Sequence, residues 1–388
     1  MMYPDLCADA AYYVFDMPAV RDRIGVLRNL LGPRVKLAYA VKANTFILQE
    51  MEPLVDRFEI CSPGESRICD RLGIPGEKTV ISGVYKTPAF IEELVTHTDG
   101  RIYTVESLHQ FELLRSLSEA HRKELSVLLR LTNGSQFGIN APEIRDIISR
   151  RDEFPFLKLQ GIQYFSGTQK TSLKKLKREL DKLDALLQEL ETSYGYHAQE
   201  LEFGPGFPVD YFGDGDFDER ELIGGFAEML ENMTFRCEIT LELGRSIAAC
   251  CGQYYTHIVD QKRNKGQNYL LVDGGMHHLV YFGQYMGMKL PKVTHFTDST
   301  EPSGQWNICG SLCSMNDILV KDLPLRAPAI GQTLCFHNTG AYCTTEGIAL
   351  FLTRELPAVF VVKLDGSVQC VRRPTETFPW NCPQTENC

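Results

Sequence analysis

Lys42 closes the run Val35-Lys-Leu-Ala-Tyr-Ala-Val-Lys42, in which strand periodicity puts Leu37, Tyr39 and Val41 on one face and Ala38, Ala40 and Lys42 on the other. A primary amine above two alanines that clear space suits a nucleophile that condenses with an aldehyde to form a Schiff base. The ordinary fate of a strand-end lysine is solvation, so the reading depends on companions elsewhere in the chain. Three motifs supply them. The turn Gly204-Pro-Gly-Phe207 offers bare backbone N–H groups that suit a phosphate, although a plain turn reads the same way. Glu242-Leu-Gly-Arg245 closes an apolar β run, with a carboxylate and a guanidinium fork three residues apart; a surface ion pair is the commoner outcome for such residues. Cys313 lies in Cys309-Gly-Ser-Leu-Cys313-Ser-Met-Asn-Asp317, and a thiol can be tuned to give or take a proton near neutral pH.

The elements that must position these groups alternate. Candidate strands at 35–42, 57–61, 79–83, 101–104, 126–132, 158–165, 199–204 and 238–244 are separated by amphipathic stretches such as 46–55, 87–97, 106–119 and the strongly periodic 169–193. Eight such units predict an α/β fold, a (β/α)8 TIM barrel over residues 20–245, with chemistry at the C-terminal strand ends. A doubly wound open sheet is the alternative. From residue 246 the long helices stop, and β segments at 253–260, 268–273, 317–321, 332–336, 348–352, 357–363 and 366–372 predict a second, mostly β domain over 246–388, a sandwich or open barrel. Residues 1–19, with the early strand Tyr12–Phe15, are expected to join it. The Pro-rich stretch 374–383 reads as mobile.

Composition narrows the class. A chain of 388 residues with 44% hydrophobic content supports two cores. The net charge of -10 reads as spread along the sequence without a basic block, which argues against nucleic acid and anionic membranes as partners. Neither a membrane span nor a signal-like start is visible, and a cytoplasmic enzyme is expected. The thirteen cysteines are odd in number and irregularly spaced, without Cys-x-x-Cys or Cys/His clusters, so no metal site is expected. Cys250, Cys251 and most of the others read as small buried residues of a reducing compartment.

In their order along the chain, these motifs resemble the pyridoxal-phosphate-dependent decarboxylases of fold type III, which include the diaminopimelate, ornithine and arginine decarboxylases. AYAVKAN (residues 38–44) resembles the family's lysine motif, FEICSPGE (58–65) its second-strand motif and ISGVYKT (81–87) its third. The resemblance implies that pyridoxal 5'-phosphate is the cofactor and that Lys42 carries it as a Schiff base. It implies that Gly204, Gly206, Thr168 and Tyr342 hold the phosphate, with Pro205 removing one donor from the family's glycine loop. Arg245 is implied to face phosphate or a substrate carboxylate. Glu242 is implied to keep the ring nitrogen protonated. Cys313 is implied to cross a homodimer interface into a composite active site and return a proton to Cα after CO2 leaves.

Several positions depart from the family pattern. Phe165 stands where a histidine usually lies against the ring, keeping a flat surface without the polar tip, and Gln163 replaces another histidine. Ser314 stands where ornithine and diaminopimelate enzymes carry an acid for the distal amine, so an ordinary diamine-forming substrate loses a strong partner. The segment Val272-Asp-Gly-Gly-Met-His277-His278 looks most like a subgroup of specialised biosynthesis, in which the amino acid is conjugated or held on a carrier protein. Ser314, His277 and Asp317 are therefore candidate substrate contacts, with Tyr281, Tyr285 and Met286 as pocket walls; paired structural histidines are the plainer alternative for His277 and His278. The expected reaction is α-decarboxylation of a small free or carrier-bound amino acid. An amino-acid racemase of the same fold, a catalytically dead regulatory homologue and a barrel-only cofactor carrier are the competing readings.

Overall fold

The computed structural model describes residues 2–7, 9–97 and 99–383, which divide into two compact units. One comprises residues 23–208 and 217–247; the other comprises residues 1–22, 209–216 and 248–388.

Strand β1, Tyr12–Asp16, belongs to the second unit. The first unit holds β2 (Val35–Ala40), β3 (Arg57–Ile60), β4 (Thr79–Ile81), β5 (Ile102–Val105), β6 (Leu125–Arg130), β7 (Leu157–Phe165), β8 (Glu200–Gly204) and β9 (Glu238–Leu243). They close into a parallel barrel, with β9 pairing back on β2. All eight expected strands appear, because β-branched and apolar runs alternating with amphipathic helices have few other ways to bury both faces of a parallel sheet. The expected strand 35–42 stops at Ala40, and Val41–Ala43 turn into a single 3-10 turn, so Lys42 lies just beyond the strand.

Side chains capping the helices fix where each barrel loop ends. Ser62 accepts from Glu65 N at the head of Pro63–Arg71, and Ser107 accepts from Gln110 N at the head of Leu108–His121. The helix Leu173–Tyr194 is capped by Ser172 and ends at Gly195 in the left-handed conformation. Its Leu176, Leu180, Leu183, Leu187 and Leu190 recur at helical spacing and are buried. Each such leucine contributes about 1.5–3 kcal/mol by leaving water.

The barrel interior is unusually polar. Val80, Ile102 and Leu128 from β4, β5 and β6 form a small apolar cluster. Arg57, Glu59, Glu106, Arg130, Gln163, Glu200, Glu202 and Thr240 are nevertheless all buried.

The second unit contains β10 (Gly252–Asn264), β11 (Gln267–Val272), β12 (Val293–His295), β13 (Ser303–Cys309), β14 (Ile318–Arg326), β15 (Thr333–His337), β16 (Ala358–Val362) and β17 (Val368–Arg372). With β1 they form one nine-stranded sheet in the order β14-β13-β11-β10-β1-β16-β17, and β15 pairs with both β10 and β12. The thirteen-residue β10 joins the two halves: Tyr254 and Tyr255 pair with β1 and β15, and past a register shift between Ile258 and Asp260 the strand pairs with β11. Tyr12 stacks on Tyr255 with ring centroids 4.8 Å apart, inside a cluster with Val14, Cys335, Ala358 and Val362.

Some expectations for this unit are corrected. Residues 348–352 read as a strand but form no ladder. Phe351–Thr353 is a 3-10 turn in which Leu352 and Thr353 take positive φ, and Ile348, Leu350, Phe351 and Leu352 are exposed. A short apolar run alone does not make a strand without a neighbour to pair with. Strands β12 and β13 were not anticipated. The stretch 374–383 is tied in rather than loose, through a bridge between Leu356 and Thr375 and a short helix Phe378–Asn381. Cys69, Cys251, Cys335 and Cys343 are buried as expected, but Cys250, Cys370 and Cys382 are exposed. None of the described helices is long and apolar enough to cross a membrane.

Candidate active site

Three neighbouring strands converge at one rim of the barrel. β8, β9 and β2 pair side by side, about 4.8 Å apart, and their C-terminal ends carry Gly204, Glu242 and Lys42. Lys42 Nζ donates to Glu59, lies 3.3 Å from Glu242 Oε1 and lies 3.6 Å from Cys61 Sγ. The lysine side chain is 38% exposed, whereas those of Glu59 and Glu242 are 3% and 10% exposed. An amine open to the barrel mouth thus rests on two buried carboxyls.

Glu59 and Cys61 are site residues that the sequence analysis did not single out, although FEICSPGE contains them. Their signal was available: Arg57, Glu59 and Cys61 alternate with apolar residues, as do Glu200, Glu202 and Gly204, and charge at strand period two in a buried strand points into a barrel. Glu65 fixes this corner by accepting from Cys61 N at 2.7 Å, and the Cys61 thiol donates to Glu59 Oε1 at 3.2 Å.

The electrostatics split the two carboxyls. Burial pushes Glu59 up, but the Lys42 ammonium outweighs it and holds the acid well below its ordinary range. Burial, reinforced by the Glu59 charge, pushes Glu242 up to about 7 despite Lys42. The pair therefore titrates as a unit, with Glu59 ionised and Glu242 able to hold a proton near neutrality. Burial, reinforced by the Glu59 charge, also raises the Cys61 thiol, so it acts as a donor and not as a thiolate.

Beneath this layer, Arg57 pairs with Glu200, and Thr240 donates to the same carboxylate. Glu202 is different. It is fully buried and accepts from Gln163 Nε2 at 2.6 Å, and its second oxygen has no partner among the described residues. Burial and the charges of Glu200 and Glu242 drive it well above the carboxylate range. On the far side Arg130 lies 2.8 Å from Glu106, and Lys86 donates to Gly83 O, Thr104 and Gln110. Burial lowers Lys86 to about 8.

Phe165 ends β7, and its ring lies over Gly204: a Cβ at residue 204 would come within 2.3 Å of Phe165 Cδ2. Gly206 has φ +64 and packs so close to the next loop that a Cβ would lie 2.1 Å from Gly167 O. The backbone next to Thr168 and the Gly204–Gly206 turn are thereby in contact, and Thr168 is exposed. Arg245 opens the turn after β9 and is buried.

The remaining candidates lie in the β unit. Cys313 is exposed, and Ser314 is half-buried in the same β13–β14 loop. Asp317, expected as a substrate contact, is instead committed to backbone. It is buried, its Oδ1 accepts from Met276 N at 2.7 Å and its Oδ2 from Leu312 N at 2.8 Å. Its carboxylate shapes the Cys313 loop. His277, expected to meet an anionic group, is also buried, and burial lowers it to about 3. A neutral imidazole offers no charge to an anion. His278 is satisfied by Tyr254 OH and Glu355 O, and burial lowers it to about 4. Tyr281 and Met286 line a small, mostly apolar pocket with Tyr285 and Leu319. Tyr342 is half-buried and takes a positive φ of 67.

The donor set fits pyridoxal phosphate: an exposed-tipped amine, a carboxyl that can carry a proton, and a glycine turn too tight for any Cβ. The family model for the pyridoxal binding domain of pyridoxal-dependent decarboxylases matches residues 18–249. Among curated relatives, the chain is 25% identical to the L-glutamyl-[BtrI acyl-carrier protein] decarboxylase of Niallia circulans, covering 94% of this chain and 91% of that protein. It is 25% identical to the diaminopimelate decarboxylase of Zymomonas mobilis, covering 88% and 83%. Among solved structures it resembles the diaminopimelate decarboxylase of Helicobacter pylori complexed with L-lysine, at TM-score 0.83 and 19% identity, covering 95% and 94%. It also resembles the lysine/ornithine decarboxylase of Vibrio vulnificus, at TM-score 0.78 and 19% identity, covering 91% and 93%. These two structures share the barrel and β-domain fold. With most of the chain from before the first barrel strand to beyond the last matched by that model, this protein belongs to the pyridoxal-dependent decarboxylase family.

Proposed function

We propose that this amino-acid decarboxylase acts on a conjugated or carrier-tethered amino acid, as a cytoplasmic homodimer with composite active sites. The observation that carries the chemistry is the Lys42 amine resting on Glu59 and Glu242 at adjoining strand ends. Bound pyridoxal phosphate supplies an electron sink for the pair left at Cα when CO2 departs. Lys42 would supply the amine that tethers the cofactor. Glu59 holds the Lys42 ammonium and gives it a charged partner whenever it is released. Glu242 keeps a proton available to the ring nitrogen. Gly204, Gly206 and Thr168, with Arg245, would hold the phosphate, and Phe165 would provide an apolar face for the ring.

Cys313 is the proton donor to Cα, reaching in from the partner subunit. Its exposure on a loop braced by Asp317 suits that task. Neutral Ser314 in the same loop favours a substrate without a free distal amine, and a relative that acts on a carrier-bound glutamyl group supports the tethered form. A racemase or an inactive homologue is not favoured: the amine and both carboxyls are in place, and the relatives are decarboxylases.

Mass spectrometry for loss of CO2 across free amino acids, aminoacyl-pantetheines and carrier-bound aminoacyl groups tests this reading. Protein loaded with the cofactor is expected to absorb at the edge of the visible range. Lys42→Ala is expected to abolish both the band and CO2 release. A colourless protein, or CO2 release that survives the substitution, overturns the assignment.

A further inference from the structure

The helix Leu173–Tyr194 follows β7 and begins at the barrel rim that carries Lys42. Although the net charge is spread along most of the chain, Lys174-Lys-Leu-Lys-Arg178 is a basic cluster, and helical winding makes it a surface. At 3.6 residues per turn, Lys174, Lys175, Arg178 and Lys182 fall within an arc of about 100° and span about 12 Å along the axis. All four are exposed, opposite the buried leucine stripe. Lys177, beside them, pairs with Asp181 at 2.7 Å. Among the described residues, Lys174, Lys175 and Arg178 have no ion-pair partner.

The placement works against the helix itself. Bases next to the positive end of the macrodipole each cost about 0.3–1 kcal/mol at low salt. The first turn of this helix carries no acid and the last turn no base, and further along Glu189 and Glu191 face Arg145 and His197. Neither helix stability nor a neighbouring acid accounts for the cluster. In a chain of net charge -10 it is positioned to attract an anionic macromolecule to the barrel mouth.

We propose that this face docks a small acidic carrier domain, which presents its amino acid on a long flexible thioester arm to the barrel rim. The inference rests on the tethered-substrate reading above. Charge complementarity selects this occupant: the stripe is cationic and exposed, and it starts at the rim that carries Lys42, to which a tethered substrate must be delivered. Lys174, Lys175 and Arg178 do not touch the reacting groups. They act on encounter and residence of the carrier.

The test compares wild type with Lys174→Glu/Lys175→Glu/Arg178→Glu on two probes: glutamyl groups loaded on an acidic acyl carrier protein, and glutamyl-pantetheine. At low salt the triple variant is expected to lose roughly tenfold or more in kcat/KM on the carrier probe, through KM, and to stay within about twofold on pantetheine. Added salt should weaken the wild type on the carrier probe alone. Equal losses on both probes, no loss on either, or turnover confined to free amino acids overturns the docking proposal. So does a defect confined to binding of duplex DNA or phosphatidylserine vesicles. Absence of CO2 from thioesters and free amino acids alike sinks the decarboxylase reading itself, a separate outcome. Far-UV circular dichroism controls for folding, and the reversed charges suit the helix dipole better than the native ones.

Discussion

Glu202→Gln should make the protein more stable near neutral pH and leave it unchanged in mild acid. Glu202 is fully buried on β8, Lys42, Arg57 and Arg130 pair with other carboxyls, and its second oxygen has no partner among the described residues. Its folded-state pKa is raised far above the 4.5 of an exposed glutamate. For a group raised in this way, the stability contribution is intact below the unfolded pKa and is lost as pH climbs toward the folded one. Each unit of that climb costs about 1.36 kcal/mol. The penalty is therefore small at pH 5 and larger at pH 7, growing for as long as the pH stays below the raised folded value. Glutamine keeps the shape and cannot ionise, so it removes the penalty and can still bond with Gln163. Urea titrations followed by far-UV circular dichroism from pH 5 to 8 read the difference. The expected result is a variant advantage that widens as the pH rises from 5, by at most about 1.36 kcal/mol per unit. Parallel pH profiles, or a wild type that is the more stable at pH 7, would refute a neutral carboxyl in the barrel core.

Two further substitutions probe the site's supports. Gly206→Ala places a Cβ 2.1 Å from Gly167 O at φ +64, so the turn must shift in addition to about 1–2 kcal/mol of left-handed strain; pyridoxal phosphate affinity, read by absorbance titration, is expected to fall about tenfold or more, and an unchanged affinity would remove this turn from the phosphate site. Asp317→Ala strips the acceptors from Met276 N and Leu312 N, at about 1–3 kcal/mol for each N–H left unsatisfied; hydrogen exchange across residues 310–318 should accelerate, and unaltered protection would show that the carboxylate does not brace the Cys313 loop.

Much of the barrel was legible in the sequence because apolar period-two runs and 3.6-period helices alternate without interruption from Val35 to Leu243. The motif order also pointed to Lys42 and Glu242, which lie 3.3 Å apart. Glu59, Cys61 and Glu202 were legible only as polar positions alternating with apolar ones in strands that a barrel buries, and which of them meet the amine depends on how the barrel closes. His277 and Asp317 were read by residue type as ligands. Burial makes the first neutral, and two backbone N–H groups occupy the second. The run 348–352 has strand composition, but pairing depends on a distant neighbour that composition does not reveal.

By itself, then, the amino-acid order determined which segments extend or coil, where the amine and the glycine turn fall, and the kind of chemistry they suit, because these follow from local periodicity and residue type. Tertiary structure alone decided the charge states. Only closure of β9 onto β2 brings Glu59 and Glu242 to one amine, and only full enclosure forces Glu202 to keep its proton, since the energy of a buried charge depends on neighbours far away in sequence.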